Sequence, residues 1–152
     1  MKNLKNKITC GETILGIMLS EIATPNIVRI MKIGGLEFLI VDCEHGYFDY
    51  SQLANIIALG NGYEISVIVR VPGIERGYIT KIMDMGADGL LVPMVNTVQD
   101  AEKIVEYAKY SPVGKRGIST TRAHNDYGLH PLNEYLHIAN KRTLIFTQIE
   151  TS

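Results

Sequence analysis

The chain has 152 residues and a formal charge of −1, from 15 Lys and Arg against 16 Asp and Glu, and 46% of its residues are hydrophobic. This composition is too apolar and too weakly charged for a disordered segment, and it fits one globular domain. Because the charge is nearly balanced and no basic stripe is evident, we expect no nucleic-acid partner and a small molecule as substrate.

Neither the cysteines nor the apolar runs indicate export or membrane insertion. Cys10 and Cys43 form no CxxC pair and no disulfide framework, which fits a reducing, cytoplasmic setting. The apolar residues 14–19 follow several lysines, but they are too few for a secretory signal, and no run approaches the roughly 18 residues that span a bilayer. We therefore expect a soluble, cytoplasmic protein with no membrane partner.

Short apolar runs alternate with helical patterns along the chain. Five runs lack the polar alternation of a half-exposed strand, so each is predicted to be a strand covered on both faces. Apolar residues at helical spacing predict helices between these runs. The predicted strands are residues 14–19, 38–42, 66–71, 89–95 and 144–150, and the predicted helices lie around residues 24–33, 53–60, 79–86, 97–108 and 132–139.

Local signals mark the predicted helix ends. Thr24 is a suitable N-cap residue, and Pro25 suits the first turn of the helix that follows. Gly60 is interpreted as the terminator of the second helix. Thr97 and Asp100 have the spacing of a capping box at the start of the fourth helix.

The alternation of strands and helices predicts right-handed βαβ units, a parallel sheet and the α/β class. An internal repeat supports this, because residues 31–41 and 83–92 both run from a helix end through glycine into a buried strand. Two architectures remain open. The chain length favours an open doubly wound sheet, whereas an eightfold βα barrel needs roughly 250 residues, of which this chain would hold a little over half.

Polar side chains collect at the carboxyl ends of the predicted strands. Charged groups inside buried strands are costly, but a βα barrel brings the strand ends together at one mouth, where its functional sites lie. The ionisable residues therefore favour the barrel over the open sheet. They are Asp42, Glu44 and His45 after the second strand, Arg70 in the third, and Gln148 and Glu150 in the fifth.

Each candidate residue also has an ordinary structural explanation. His45 is either a surface loop histidine or an imidazole suited to moving a proton near pH 7. Arg70 interrupts an apolar strand, so it must face a polar cavity or a carboxylate, which a guanidinium can clamp through two bonds. Asp42 is suited to accepting bonds from backbone amides, Asp84 fits an exposed helix position, and Cys43 is interpreted as a packing residue rather than a nucleophile.

Two further features bear on a metal and on assembly. Gln148 and Glu150 share one face of the last strand because strand side chains alternate. Glu150 suits a magnesium-type cation only if a second carboxylate or a substrate oxygen joins it. The polar segment 111–130 is long enough to be functional, and it is interpreted as a solvated loop or a subunit contact.

Five motifs between about Ile14 and Thr151 carry a family resemblance. They are Val41-Asp-Cys-Glu-His-Gly46, Val69-Arg-Val-Pro72, Gly89-Leu-Leu-Val-Pro-Met-Val95, Ser111-Pro-Val-Gly-Lys-Arg-Gly117 and Gln148-Ile-Glu-Thr151. In order and spacing, together they resemble the HpcH/HpaI family of metal-dependent class II pyruvate aldolases. Members of that family include 4-hydroxy-2-oxoheptanedioate aldolase and 2-dehydro-3-deoxyglucarate aldolase.

The resemblance implies a (β/α)8 TIM barrel and a divalent metal such as magnesium, manganese or cobalt. It implies a carbon–carbon lyase that reversibly cleaves a 2-oxo-4-hydroxy acid to pyruvate, or a related 2-oxo acid, and an aldehyde. It also implies a homo-oligomer, which is a hexamer in full-length relatives. Residues 1–152 would then be a single domain, an incomplete barrel covering about the first five strands and truncated after the fifth.

Carried over residue by residue, the resemblance implies roles for five side chains. His45 matches the histidine assigned to acid/base catalysis, and Asp84 matches the aspartate that pairs with this histidine across the subunit interface. Arg70 matches the arginine that holds the pyruvyl oxygens and the developing enolate charge, so it is both catalytic and substrate-binding. Gln148 matches a neighbouring substrate-binding residue, and Glu150 matches the first carboxylate ligand of the metal.

Three hypotheses follow for the function of the chain. The first is a metal-dependent aldolase, although the metal site within residues 1–152 is expected to be incomplete, since a hard divalent ion takes about six oxygen ligands. The second is a truncated, catalytically inactive fragment that acts only as an oligomerising or binding module. The third is an open-sheet binding module.

Overall fold

A computed structural model describes residues 4–119 and 121–151, and this part of the chain forms a five-stranded parallel sheet with helices between the strands. The α/β class is thereby confirmed. The strands are β1 (Gly16–Leu19), β2 (Phe38–Asp42), β3 (Ser66–Arg70), β4 (Gly89–Val92) and β5 (Leu144–Thr147). The helices are α1 (Leu4–Thr9), α2 (Asn26–Ile33), α3 (Tyr50–Gly62), α4 (Arg76–Asp84), α5 (Val98–Ala108) and α6 (Leu132–Arg142), with a 3₁₀ turn at Ala123–Asn125.

The order of the strands distinguishes the two architectures. In the sheet, the strands follow their order in the chain, β1-β2-β3-β4-β5, and every neighbouring pair is parallel. A doubly wound sheet reverses direction at a switch point, which places its first strand inside the sheet. In a βα barrel, each strand instead pairs with the next strand along the chain. The described strands follow the barrel order, so the doubly wound alternative is wrong.

The two faces of the sheet carry two apolar clusters. On one face, strand residues such as Leu39, Val67 and Leu90 are fully buried beneath the helices. On the other face, a smaller cluster contains Ile68, Leu144 and Leu4 of α1. Because strand side chains alternate, Asp42 at the end of β2 and Arg70 at the end of β3 lie on the same face of the sheet as this smaller cluster. In a βα barrel, functional sites lie at the carboxyl ends of the strands.

Helix α1 lies outside all the predicted helices, and it brings Leu4 into the smaller cluster. Its six residues contain two lysines and few apolar residues, so it lacks the periodicity on which a sequence prediction depends. Among the helices in the described part of the chain, none has both the length and the apolar character needed to cross a membrane.

One glycine has a different role from the one predicted. Gly60 lies inside α3, which continues to Gly62, so its interpretation as a helix terminator is wrong. A Cβ atom at Gly60 would lie 2.4 Å from Cγ2 of Val67. The glycine therefore allows α3 to pack closely against β3, and this closeness outweighs the cost of glycine within a helix.

The predicted helix starts differ in accuracy. The capping box of α5 is confirmed, because Thr97 Oγ1 accepts a hydrogen bond from Asp100 N at 3.1 Å and Asp100 Oδ2 accepts one from Thr97 N at 3.1 Å. In α2, the N-cap position is occupied by Pro25 rather than Thr24, and no side chain caps the helix. Thr24 instead accepts the first bond through its backbone carbonyl, from Ile27 N at 3.1 Å.

The segment 111–130 buries polar side chains that its composition does not reveal. Arg116 is 5% exposed and His124 is 4% exposed. The His124 ring contacts the hydroxyl of Tyr135 in α6, and Arg142 donates a hydrogen bond to the His124 carbonyl. The interpretation of this segment as a solvated loop is therefore wrong for its buried part.

Asn140 connects α6 to the end of α5, and its removal is expected to destabilise the protein. Its Oδ1 accepts a hydrogen bond from Tyr110 N at 2.7 Å, and its Nδ2 donates to the Tyr110 carbonyl at 2.9 Å. In Asn140→Ala, the buried Tyr110 N loses its acceptor, whereas the Tyr110 carbonyl keeps its hydrogen bonds from Val113 N and Gly114 N. The free energy of unfolding should therefore fall by about 1–3 kcal/mol. Urea unfolding monitored by circular dichroism measures this. As a control, Asn133→Ala at an exposed position of the same helix should change the free energy of unfolding by less than about 0.5 kcal/mol. Equal effects of the two variants would contradict the role of Asn140.

Candidate active site

Asp42 and Arg70 form a shielded ion pair at the carboxyl ends of β2 and β3, where the sheet register places them opposite each other. Arg70 Nε donates to Asp42 Oδ1 at 2.8 Å, and Nη2 donates to Oδ2 at 2.7 Å. The Asp42 side chain is 2% exposed and that of Arg70 is 13% exposed. Arg70 was predicted to face either a polar cavity or a carboxylate, and the structure shows the carboxylate.

Asp42 also organises the loop that follows β2. Its Oδ1 accepts hydrogen bonds from Glu44 N at 3.0 Å and from His45 N at 3.2 Å, which confirms the prediction that it binds backbone amides. The loop is wound so tightly that a Cβ atom at Gly46 would lie 2.1 Å from the Asp42 carbonyl oxygen and 2.5 Å from that of Ser20. Only glycine fits at this position, and the backbone at His45 is held by the same carboxylate that binds Arg70.

The surroundings of this pair shift two pKa values in opposite directions. The hydrogen bonds from Arg70 lower the pKa of Asp42 to about 2, against the effect of burial and with the help of the two backbone amides. Burial, together with the negative charge of Asp42, raises the pKa of the Cys43 thiol to about 11. Cys43 therefore stays protonated near neutral pH, and it packs against the main apolar cluster, as its interpretation as a packing residue requires.

The lowered pKa of Asp42 predicts how stability depends on pH. Because the folded-state pKa lies below the ordinary value of about 3.9, the pair contributes its stability above about pH 4 and loses it as the pH falls towards 2. The stability that the pair loses over this pH range is about 2 kcal/mol. Between pH 4 and pH 2, the free energy of unfolding should therefore fall less in Asp42→Asn than in the wild type. Asp126→Asn, at an exposed turn, should retain the wild-type slope, and a wild-type slope in Asp42→Asn would contradict the prediction.

Glu44 links the ion pair to the imidazole of His45. Glu44 Oε2 lies 3.2 Å from Arg70 Nη1, and Oε1 lies 3.8 Å from His45 Nε2. The side chain of His45 is 74% exposed, so the ring is accessible from solvent. The sequence places Glu44 among the strand-end polar residues but gives it no role. Its position in the sequence between Asp42 and His45 was the signal that could have identified it as a site residue.

Gln148 and Glu150 lie beside each other after β5. Gln148 Nε2 lies 3.5 Å from Glu150 Oε1, as their predicted position on one face requires. Glu150 Oε2 accepts a hydrogen bond from Met94 N at 3.1 Å, in a turn where Met94 adopts a φ of 54°. The pKa of Arg70 is raised mainly by its hydrogen bond to Asp42, and the negative charge of Glu150 adds to this effect. The ends of β3 and β5 thus share one electrostatic environment.

The oxygen atoms at the end of β5 suit a hard divalent cation. Glu150 is exposed and offers a carboxylate, and Gln148 has a buried Oε1 atom without a hydrogen-bond partner. Carboxylate and amide oxygens are the ligands that magnesium-type ions prefer. Within residues 4–119 and 121–151, no three His, Cys, Asp or Glu side chains are grouped closely enough to hold a metal ion. The residues present therefore fit such an ion as part of its ligand set.

Asp84 lies apart from these residues, at the end of α4. Its Oδ1 accepts hydrogen bonds from Arg116 Nε at 3.1 Å and from Arg116 Nη2 at 2.6 Å. The Asp84 side chain is 25% exposed, so it is not the freely exposed helix residue of the ordinary explanation. It lines an open cleft of about 630 Å³, together with Arg76, Gly77, Thr80, Lys81, Met85 and Arg122. In the described structure of a single chain, Asp84 does not contact His45.

The structure thus places four of the five predicted site residues at the carboxyl ends of β2, β3 and β5, and the fifth elsewhere. A parallel sheet in sequential order, with charged side chains at the carboxyl ends of its strands, defines a domain of the βα-barrel class. The chain belongs to the HpcH/HpaI aldolase/citrate lyase family, whose model matches residues 16–152.

Related proteins support this assignment. The chain is 36% identical to a 4-hydroxy-2-oxovalerate aldolase from Novosphingobium aromaticivorans, over 100% of this chain and 57% of the relative. It is 32% identical to a 5-keto-4-deoxy-D-glucarate aldolase from Salmonella paratyphi A, over 87% of this chain and 51% of the relative. A crystal structure of an HpcH/HpaI aldolase from Desulfitobacterium hafniense superposes with a TM-score of 0.92 at 32% identity, covering 97% of this chain and 56% of that chain. The chain spans about half the length of the curated relatives it matches, and its fold is a partial barrel.

Proposed function

We propose that this chain provides the first five strands of a divalent-metal-dependent aldolase of the cytoplasm. The reaction is cleavage of a 2-oxo-4-hydroxy acid to pyruvate, or a related 2-oxo acid, and an aldehyde. The observation that carries the proposal is the connected group of Asp42, Arg70, Glu44 and His45, with Glu150 at the same end of the sheet. Relatives named as aldolases of oxo acids support the substrate class.

Arg70 is proposed to hold the oxo-acid part of the substrate. A guanidinium has five N–H donors, and the contacts of Arg70 with Asp42 and Glu44 account for three of them. Two N–H groups therefore remain for substrate oxygens. Because Arg70 is held by two carboxylates before any substrate binds, its charge needs no reorganisation as negative charge develops on the oxo-acid fragment.

His45 is proposed as the general base. Its accessible imidazole takes the proton from the C4 hydroxyl, the bond between C3 and C4 breaks, and the electron pair remains on the 2-oxo acid fragment as an enolate. Protonation of that enolate at C3 then gives the oxo acid. A bound magnesium, manganese or cobalt ion would supply Lewis-acid stabilisation of the substrate oxygens, and Glu150 would hold it, with Gln148 beside the substrate.

Asp84 is proposed to act on His45 of the partner subunit in a homo-oligomer. Both hydrogen bonds from Arg116 are made to Oδ1, and Oδ2 accepts none from the described residues. Since Asp84 faces an open cleft, Oδ2 is available to a group that enters from outside the chain. The position of Asp84 at the end of α4, paired with Arg116 and not with His45 of its own chain, agrees with this arrangement, which the family resemblance implies.

The proposal is tested by pyruvate release from a 2-oxo-4-hydroxy acid. The assay compares the 152-residue chain with a chimera in which the C-terminal part of the Novosphingobium relative follows it. We expect the chimera to release pyruvate. The release should stop when EDTA is added and recover when Mg²⁺, Mn²⁺ or Co²⁺ is supplied. No release from a folded chimera with any of the three ions would overturn the proposal.

The same comparison addresses the second candidate, a non-catalytic oligomerising or binding module. This candidate is favoured by the lack of a three-group metal cluster among residues 4–119 and 121–151. It predicts that the 152-residue chain is inactive but forms oligomers, which size-exclusion chromatography with light scattering detects. Release of pyruvate by the 152-residue chain itself would exclude it.

A further inference from the structure

We propose that Arg116 is a positioning residue, which fixes one oxygen of Asp84 so that the other is directed at the imidazole of a second copy. This inference rests on the proposed function, because it takes Asp84 as the partner of His45 of the partner subunit. It assigns a role to the motif of residues 111–117, for which neither the sequence nor the proposed reaction has a use.

The geometry of the ion pair is the first argument. An arginine and a carboxylate commonly pair in a fork, with two donors on two different oxygens, as Arg70 does with Asp42. Arg116 instead places Nε and Nη2 on the same oxygen, Oδ1 of Asp84. One oxygen is therefore anchored, while Oδ2 accepts no hydrogen bond from the part of the chain that the structure describes, and Asp84 lines an open cleft.

The burial of Arg116 is the second argument. Its side chain is 3% exposed, whereas that of Asp84 is 25% exposed. The guanidinium carbon lies 4.5 Å from the centroid of the Tyr110 ring, and Tyr110 is itself held by Asn140. A buried guanidinium packed against an aromatic ring has little freedom to move into solvent. Arg116 therefore fixes the position of the Asp84 carboxylate.

The backbone around Arg116 is fixed as firmly as its side chain. Arg116 N donates to the Lys109 carbonyl at 2.9 Å, and Lys115 N donates to the Glu106 carbonyl at 2.7 Å. A Cβ atom at Gly114 would lie 2.3 Å from the Lys109 carbonyl oxygen, so only glycine allows the loop to lie this close to α5. The motif therefore ties Arg116 to the end of α5, and Arg116 ties α4 to the same point through Asp84.

The test uses the chimera and separates positioning from general stability. In Arg116→Met, we expect kcat for pyruvate release to fall about 10–100-fold, the range for residues that orient a functional group, with KM within about twofold. Arg116→Lys should recover part of kcat because it keeps the charge. In an Asp84→Asn background, Arg116→Met should have no further effect on kcat, since it acts only through that carboxylate.

Arg142→Met is the matched control. Arg142 Nη2 donates to the His124 carbonyl in the same segment but does not contact Asp84. Circular dichroism first gives the folded fraction of each variant. If the segment affects only stability, Arg142→Met and Arg116→Met should lower kcat per folded protein to the same extent. If Arg116→Met does not fold, the comparison of Arg116→Lys with Arg142→Met decides, and positioning requires the lower kcat in Arg116→Lys.

The outcomes distinguish this inference from the function on which it rests. If the wild-type chimera releases no pyruvate, the proposed function fails. If it is active, and either Arg116→Met keeps wild-type kcat or its effect adds fully to that of Asp84→Asn, the positioning role is overturned and the proposed aldolase activity stands.

Discussion

Replacing Arg70 with methionine is expected to reduce kcat/KM for pyruvate release by the chimera about 10³-fold. Arg70 carries the fixed positive charge at the end of β3 and retains two N–H donors beyond its contacts with Asp42 and Glu44. The loss of one preorganised donor typically costs about 10²–10³-fold, and here a full charge is lost as well. Steady-state kinetics at saturating Mn²⁺ measure the effect.

Loss of folding must be separated from loss of catalysis in this variant. Without Arg70, Asp42 becomes a buried carboxylate without its cation, which costs about 3–5 kcal/mol of stability. The double variant Asp42→Asn with Arg70→Met removes both charges, so it should regain much of that stability and remain inactive. Arg29→Met, on the exposed face of α2, should keep both stability and activity. Activity near the wild-type value in the folded double variant would exclude a catalytic role for Arg70.

The fold was largely predictable because burial on both faces of a strand leaves a local signature. Runs such as residues 66–71 lack alternation, and glycines separate them from helical patterns. Chain length alone pointed to the wrong sheet order. The observation that favoured the barrel was chemical: several strands end in charged residues, and a barrel brings the carboxyl ends of all its strands together at one polar mouth.

The site was predictable where a residue type contradicts its surroundings. Arg70 is anomalous in an apolar strand, which indicated either a polar cavity or a carboxylate partner. The identity of Asp42 as that partner follows from the register between β2 and β3. Sequence spacing does not give this register. The bridging position of Glu44 depends on the same register, because its second oxygen reaches the cation of the neighbouring strand.

The features that sequence analysis missed are consequences of tertiary packing. Arg116 and His124 lie in a segment with the composition of an exposed loop, yet α6 and Tyr110 cover them. Gly60 resembles a helix terminator until its contact with Val67 is known. In each case, the deciding neighbour is distant in sequence, so no local pattern contains it.

Replacing Glu150 with glutamine is expected to remove most of the metal-dependent activity of the chimera. Glu150 is the carboxylate that the described residues offer to a divalent ion, and its Oε2 is oriented by Met94 N. Glutamine preserves the shape and an oxygen acceptor but removes the negative charge that binds a hard cation. Lewis-acid stabilisation is worth several kcal/mol, so the loss in kcat at fixed Mn²⁺ should reach roughly 10²–10³-fold.

A metal titration shows whether this loss arises from binding. The Mn²⁺ concentration for half-maximal activity should rise in Glu150→Gln, and excess Mn²⁺ should restore part of the rate. Glu106→Gln, which removes a surface carboxylate paired with Lys115, should leave the titration unchanged. If Glu150→Gln keeps the wild-type Mn²⁺ dependence, Glu150 is not a ligand. The proposed chemistry at the strand ends would then rest on Arg70 and His45.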